Sequence, residues 1–179
     1  MGGRFVGTRA WQCAVAGALV VALGGTACGG GGGDDKLTVH EFEPVASSWL
    51  PAQILDLTVA EEHPSTPLQE GDEPYIDELG VFSLRRGELL QATLQVSHFA
   101  DQDRIANGAF QRRLVAGVAG TTSPSLIRVG EQRVYLTSGG RQTVAVWFDS
   151  AYMLVASIRE EYARPRALLR ALTELEAGA

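Results

Sequence analysis

The stretch QTVAVWFDSAYMLVASIR, residues 142–159, decides the fold that this sequence predicts. Residues 142–148 and 152–159 have apolar side chains at both odd and even positions, and the short segment 149–151 separates them. Two such segments joined by a short turn are typical of a β-hairpin. A strand with two apolar faces is covered on both sides, so we expect both strands at the centre of a sheet.

Further strands are predicted before and after this hairpin, and short turns join most of them. A turn at residues 86–88 connects two of the earlier strands, and Ser138-Gly139-Gly140 forms a turn before the hairpin. The predicted strands are residues 54–60, 81–85, 89–99, 126–129 and 133–137. In residues 89–99, every second side chain is polar, so one face of that strand is expected to meet solvent.

Two helices are predicted, one before and one after the later strands. Asp101 is placed to cap the first helix, which runs to Gly120 and carries an apolar stripe. Pro165 suits the start of the second helix, and Gly178 lies just beyond its end. The apolar faces consist of Ala106, Phe110, Leu114 and Val118 in the first helix and Leu168, Leu169, Leu172 and Leu175 in the second.

These elements define the expected fold class. Antiparallel strands with two helices that cover one face of the sheet give an α+β domain. We expect a single, meander-rich domain over residues 49–179. A late hairpin followed by a closing helix resembles the Mog1/PsbP-like fold. That resemblance is one of element order alone and implies no activity.

The first 27 residues have the pattern of a signal peptide. Arg4 and Arg9 are the only charged residues before Asp34. The apolar core AVAGALVVAL, residues 14–23, is ten residues long, which suits a signal peptide and is shorter than the roughly twenty residues of a membrane-spanning helix. We therefore expect residues 1–27 to direct export.

The end of this leader, Gly25-Thr26-Ala27-Cys28, resembles the lipobox of bacterial lipoproteins. The resemblance implies cleavage between Ala27 and Cys28 and attachment of fatty acyl chains, such as palmitate, to Cys28. Several acyl chains hold a protein stably on a bilayer. The expected location is thus the cell membrane of a bacterium, with a lipid anchor. The abundance of Ala, Gly and Arg indicates a GC-rich genome.

Two other fates of the leader stay open. Gly25 and Ala27 also satisfy the small-residue pattern for ordinary secretory cleavage, which would release a soluble protein. The third alternative is an uncleaved anchor. In all three, Arg4 and Arg9 hold the N-terminus on the cytoplasmic side, so the remainder faces outside the cytoplasm.

Residues 28–48 are predicted to be a flexible tether. The glycine run 29–33 is followed by Asp34 and Asp35 instead of the Lys-Ser/Thr of a phosphate loop. Glycine-rich chain behaves as a random coil, which suits a tether. The segment EEHPSTPLQEGDEPYIDE, residues 61–78, is interpreted as an acidic loop. Calcium binding is its alternative, although the ligand spacing of an EF-hand is absent.

The charge distribution argues against nucleic acid as a partner. The formal net charge is -6, and residues 34–78 contain twelve acids and one base, Lys36. A protein that binds nucleic acid through phosphates needs clustered Lys and Arg. With Cys13 in the leader and Cys28 at the cleavage site, the mature chain has no internal disulfide.

No catalytic residue, metal ligand or cofactor is assigned from the sequence. His40 begins a zinc-protease-like HEFEP, but Pro44 stands where the second histidine is needed. His63 lies in the acidic loop. His98 is the best candidate for a catalytic base, yet the adjacent Ser97 points to the opposite face of the same strand. We interpret His98 as a partly buried histidine whose hydrogen bonds are satisfied by the loop that follows it.

Two further groups of residues, one aromatic and one basic, each allow a binding or a structural interpretation. Four aromatic residues either line a ligand groove or pack in the core, and four late arginines either form a basic patch or the solvated face of the last helix. The aromatic residues are Tyr135, Trp147, Phe148 and Tyr152, and the arginines are Arg159, Arg164, Arg166 and Arg170.

The function expected from these patterns is that of a lipid-anchored, extracytoplasmic, non-enzymatic module that binds or supports another component of the cell envelope. One alternative is a hydrolase with a site assembled around His98. Another is a carrier or sensor of a small ligand held within the domain.

Overall fold

The computed structural model describes residues 38–40, 43–62, 66–68, 76–119, 124–139 and 141–177. The predicted signal peptide, its cleavage site at Ala27 and Cys28, and the glycine run lie outside the described residues. His63 and most of the predicted acidic loop lie outside them as well.

The described part of the chain is dominated by one antiparallel sheet of eight strands, in the order β2-β3-β5-β6-β10-β9-β8-β7. A separate pair, β1 and β4, is also antiparallel. With three helices, the fold is broadly α+β. The strands are β1 (Thr38–His40), β2 (Gln53–Ile54), β3 (Leu57–Glu62), β4 (Thr66–Leu68), β5 (Ile76–Arg86), β6 (Leu89–Phe99), β7 (Ser125–Val129), β8 (Gln132–Gly139), β9 (Gln142–Asp149) and β10 (Tyr152–Arg159).

The predicted central hairpin is confirmed. β9 pairs with β10 through a tight turn in which Ser150 has a φ of 51°. β10 pairs on its other side with β6, and β9 with β8, so both strands lie inside the sheet. The apolar side chains on both faces of β9 and β10 therefore correctly predicted that these strands lie at the centre of the sheet.

The helices are α1 (Gln102–Ala106), α2 (Gly108–Ala119) and α3 (Pro165–Thr173). The predicted cap at Asp101 is confirmed, because its Oδ1 accepts a 2.9 Å hydrogen bond from the Arg104 N–H. The prediction of one helix from there to Gly120 is wrong. Asn107 has an extended backbone, and its Oδ1 accepts bonds from the N–H groups of Ala109 and Phe110, so it starts a second helix.

Two strand predictions need correction. The single strand predicted at residues 54–60 is a small hairpin of β2 and β3, because Leu55, with a φ of 55°, and Asp56 form a turn. The acidic segment 61–78 is not a loop throughout. β3 extends to Glu62 through pairing with β5, and β5 begins at Ile76 through pairing with β6, because these backbone pairings override the polar composition.

The buried apolar residues form two clusters, and successive residues along a strand belong to one cluster and the other in turn. In β10, Leu154, Ala156 and Ile158 belong to the first cluster, whereas Met153 and Val155 belong to the second. Successive side chains of a strand point to opposite faces, so the clusters lie on opposite faces of the sheet.

The helices contribute to different clusters. Leu168, Leu169 and Leu172 of α3 are buried in the first cluster, with Trp147 and Tyr162. Ile105 of α1 and Phe110, Leu114 and Val115 of α2 are buried in the second. The expectation that both helices cover one face of the sheet is therefore wrong.

The chain reaches the sheet beside β5. Glu43 forms a parallel bridge with Glu78, and the Leu79 N–H donates a 3.0 Å hydrogen bond to the Glu43 carbonyl. Val45 then enters the first cluster. The end of the predicted tether is thus attached to the third strand of the sheet.

In the ranges that the structure describes, no helix has the length and apolar character required to cross a bilayer.

Candidate functional site

His98, the histidine that the sequence favoured, lies near the end of β6 between two neighbouring strands. In the sheet register it is opposite Glu78 of β5 and Tyr152 of β10. Its Nδ1 lies 2.7 Å from Oδ1 of Asp77, which occupies an irregularity in the β5–β6 pairing. The imidazole ring lies 4.8 Å from the Tyr152 ring, measured between centroids.

This arrangement orients the imidazole but supplies no nucleophile from the adjacent serine. A carboxylate at Nδ1 fixes the orientation of a histidine ring. Burial, together with the charges of Glu78 and Asp77, raises the pKa of Tyr152, so its phenol stays protonated. Ser97 is buried on the opposite face, where its Oγ accepts a 3.4 Å hydrogen bond from Gln95.

In the described part of the chain, His98 belongs to no metal-binding cluster. Among the residues that the structure describes, no group of three or more His, Cys, Asp or Glu side chains is arranged to hold a metal ion. Two surface depressions, of about 600 and 620 Å³, lie around Asp101 and Asp103 at α1. Both are shallow and open, and His98 lines neither of them.

The aromatic residues named in the sequence pack within the sheet. Trp147 is fully buried in the first cluster. Tyr135 and Phe148 pack against the second cluster in an edge-to-face pair with a centroid distance of 6.5 Å. Tyr152 contacts His98. These positions favour packing over a ligand groove.

Three of the four late arginines are engaged in exposed ion pairs. Arg159 pairs with Glu161, Arg164 with Asp56, and Arg170 with Glu174. Such pairs favour a solvated surface over a patch of free positive charge.

The edge strand β7 is a candidate binding surface that the sequence analysis did not name. β7 pairs with β8 on one side, and it is the last strand of the eight-stranded sheet. Two of its large apolar side chains are exposed, Leu126 by 47% and Ile127 by 38%. Ile127 lies opposite Val134 of β8, which is fully buried. Apolar surface therefore continues from the core to the free edge.

The other edge of the sheet is different. β2 has two residues and directly follows Pro51 and Ala52. Short edge strands restrict pairing with another chain. β7 has five residues, Ser125 to Val129, and directly follows Pro124. Both edge strands thus have a proline before them, and β7 is the longer of the two.

Charge at β7 is concentrated on one face. Arg128 lies opposite Arg133 of β8 in the strand register. The Arg128 guanidinium pairs with Glu131 at 2.9 Å, and both side chains are largely exposed. Two arginines and one glutamate leave this corner of the sheet with a surplus of positive charge.

Comparison of the chain with protein-family models, with curated proteins and with solved structures finds no match. The site must therefore be interpreted from its own geometry.

Proposed function

We propose that this protein is a lipid-anchored, extracytoplasmic module without enzymatic activity that binds an extended segment of another cell-envelope protein along β7. The leader and its lipobox-like end support the anchor at Cys28. The exposed apolar edge of β7 carries the binding function.

The edge of a sheet binds by strand addition. Among the described strands, only β8 pairs with β7, so the N–H and C=O groups on the second side of β7 can form a ladder with an extended partner. Backbone bonds of this kind supply affinity, while alternate side chains supply specificity. Leu126 and Ile127 point to opposite faces, so a partner strand would cover apolar surface on both sides.

The energy available at this edge suits a moderate interaction. Covering the exposed parts of Leu126 and Ile127 would contribute about 1–2 kcal/mol in total. Five residues of added strand give far less contact than the roughly 800 Å² per partner of a standard protein interface. Confinement to the membrane by an acyl anchor raises the effective concentration of such a module near envelope partners.

We also propose that α2 and α3 are the two helices that pack on the sheet, one on each face. Their buried residues fall in different clusters. With both faces occupied, the edges of the described sheet are left for a partner, and β7 is the longer edge strand.

We assign His98 to the fold. Its contact with Asp77 joins the end of β6 to the start of β5, and its ring packs on Tyr152 of β10. A residue that ties three strands together in this way has a structural role, in place of the catalytic role that a hydrolase would require.

A photoreactive amino acid at position 127 tests the binding function in intact cells. We expect irradiation to link the protein to a discrete envelope partner. The matched control is the same amino acid at position 89, because Leu89 is also exposed, by 66%, but lies at the β5–β6 turn. Equal products from both positions, or none from position 127, would contradict the proposal.

A further inference from the structure

Arg128 of β7 and Arg133 of β8 lie on the face of the sheet that is next to α2, and their charge indicates the chemistry of a partner. We propose that the extended segment bound at β7 carries an acidic residue opposite Arg128 and apolar residues on both sides of it. This inference rests on the proposed function and names the chemical class of the partner.

Arg128 and Arg133 share one face of the sheet. They are direct cross-strand neighbours, and Leu126 lies on the same face two residues away. Leu126 is opposite Tyr135, which packs against the second cluster, so this is the face that α2 covers. The edge thus presents an apolar side chain and a positive charge side by side.

Directly opposed like charges destabilise an antiparallel pair. Glu131 compensates Arg128, but within the described ranges no ion pair to Arg133 is found. The Arg128–Glu131 pair is exposed at the surface, where such pairs are weak. A carboxylate opposite Arg128 on an added strand would therefore lie on the same face as two arginines, of which Arg128 alone pairs with an acid in the described ranges.

The register of β7 fixes the order of side chains in an antiparallel partner. Opposite Val129, Arg128, Ile127, Leu126 and Ser125, the matching residues are apolar, acidic, apolar, apolar and small polar. Thr-Val-Glu-Val-Leu-Thr meets this pattern. A second copy of β7 fits less well, because it would bring further arginines to the same face.

Binding of fluorescein-labelled Thr-Val-Glu-Val-Leu-Thr tests the inference by anisotropy, with the full-length protein in detergent micelles. The comparison peptide has Lys in place of Glu. We expect the acidic peptide to bind about fivefold to thirtyfold more tightly at low salt, since one cross-strand charge pair is exchanged for a repulsive one. The difference should shrink at high salt.

The decisive variant is Arg128→Glu, which should reverse the preference in favour of the lysine peptide. Arg166→Glu is the matched control, because it changes the net charge equally on an exposed residue of α3 and should keep the preference for the acidic peptide. Circular dichroism checks that both variants fold.

The other results overturn the inference in distinguishable ways. If both peptides bind equally and Ile127→Asp abolishes binding, β7 binds added strands regardless of their charge. The inference then fails and the proposed function stands. If neither peptide binds, both proposals fail at β7. If the protein alone forms dimers that Ile127→Asp dissociates, the occupant is a second copy.

Discussion

Tyr162 donates a 2.9 Å hydrogen bond to Oδ1 of Asp56, across 106 residues of sequence. Arg164 donates to the same oxygen at 2.6 Å, and Arg86 forms an ion pair with the carboxylate. Tyr162 is itself buried in the first cluster. Asp56 therefore fastens the β2–β3 turn to the end of β5 and to the segment that leads into α3.

Asp56→Asn should remove the acid sensitivity that this carboxylate gives to folding. Desolvation raises the pKa of Asp56, but the hydrogen bonds from Tyr162, Arg164 and Arg86 outweigh it and lower the pKa from 3.8 to about 2. A group with a lowered folded-state pKa stabilises the fold above its unfolded pKa, and this stabilisation is lost as pH falls toward the folded value.

Urea unfolding at several pH values measures this effect. The wild-type midpoint should exceed that of Asp56→Asn at pH 7, and the two should converge between about pH 4 and pH 2. Glu88→Gln, an exposed acid in the β5–β6 turn, is the control. A constant difference between wild type and Asp56→Asn at all pH values would contradict the assignment.

His98→Ala should lower stability through loss of the Asp77 contact and of packing on Tyr152. The expected loss is about 1 kcal/mol, since the contact lies partly in solvent. Thermal unfolding of His98→Ala, Asp77→Asn and the double variant measures it, and the double variant should lose less than the sum. An unchanged melting temperature combined with loss of function in cells would favour the hydrolase alternative.

Asn107→Ala should destabilise the start of α2. The Asn107 side chain accepts hydrogen bonds of 2.9 and 3.2 Å from the N–H groups of Ala109 and Phe110. Loss of such a cap costs about 1 kcal/mol. Asn107→Asp retains an acceptor and should stay near wild type in denaturant unfolding. Equal losses in both variants would show that the amide group matters for another reason.

Cys28→Ser should abolish labelling of the protein by fatty acids and move it from the membrane to the soluble or precursor fraction. The physical reason is that, in the proposed lipoprotein, the acyl chains on Cys28 would supply the apolar burial that holds the protein on the bilayer. Fractionation of cells fed with labelled palmitate measures both effects. Unchanged retention in the membrane would indicate an uncleaved apolar helix instead.

The sequence predicted the strands and helix starts that depend on residues close together in the chain. The alternation in residues 142–159 placed β9 and β10, and Asp101 and Pro165 marked the starts of helices. The break at Asn107 was missed because asparagine is compatible with a helix until its side chain bonds to the following N–H groups.

The candidate site could not be predicted in the same way. Leu126 and Ile127 are an ordinary apolar pair within a short strand. Their exposure depends on the position of β7 at the end of the strand order, which is set by pairings among distant segments. The clustering of Arg86 and Arg164 around Asp56 likewise needs the folded topology.

The bridge between Glu43 and Glu78 sets the distance between the proposed binding edge and the place where the N-terminal segment joins the sheet. From β5, where that bridge forms, β7 is five strands away in the sheet order. With about 4.8 Å between neighbouring strands, this corresponds to about 24 Å. Under the proposed anchoring at Cys28, a strand added at β7 would thus lie about 24 Å or more across the sheet from the place where the N-terminal segment joins it.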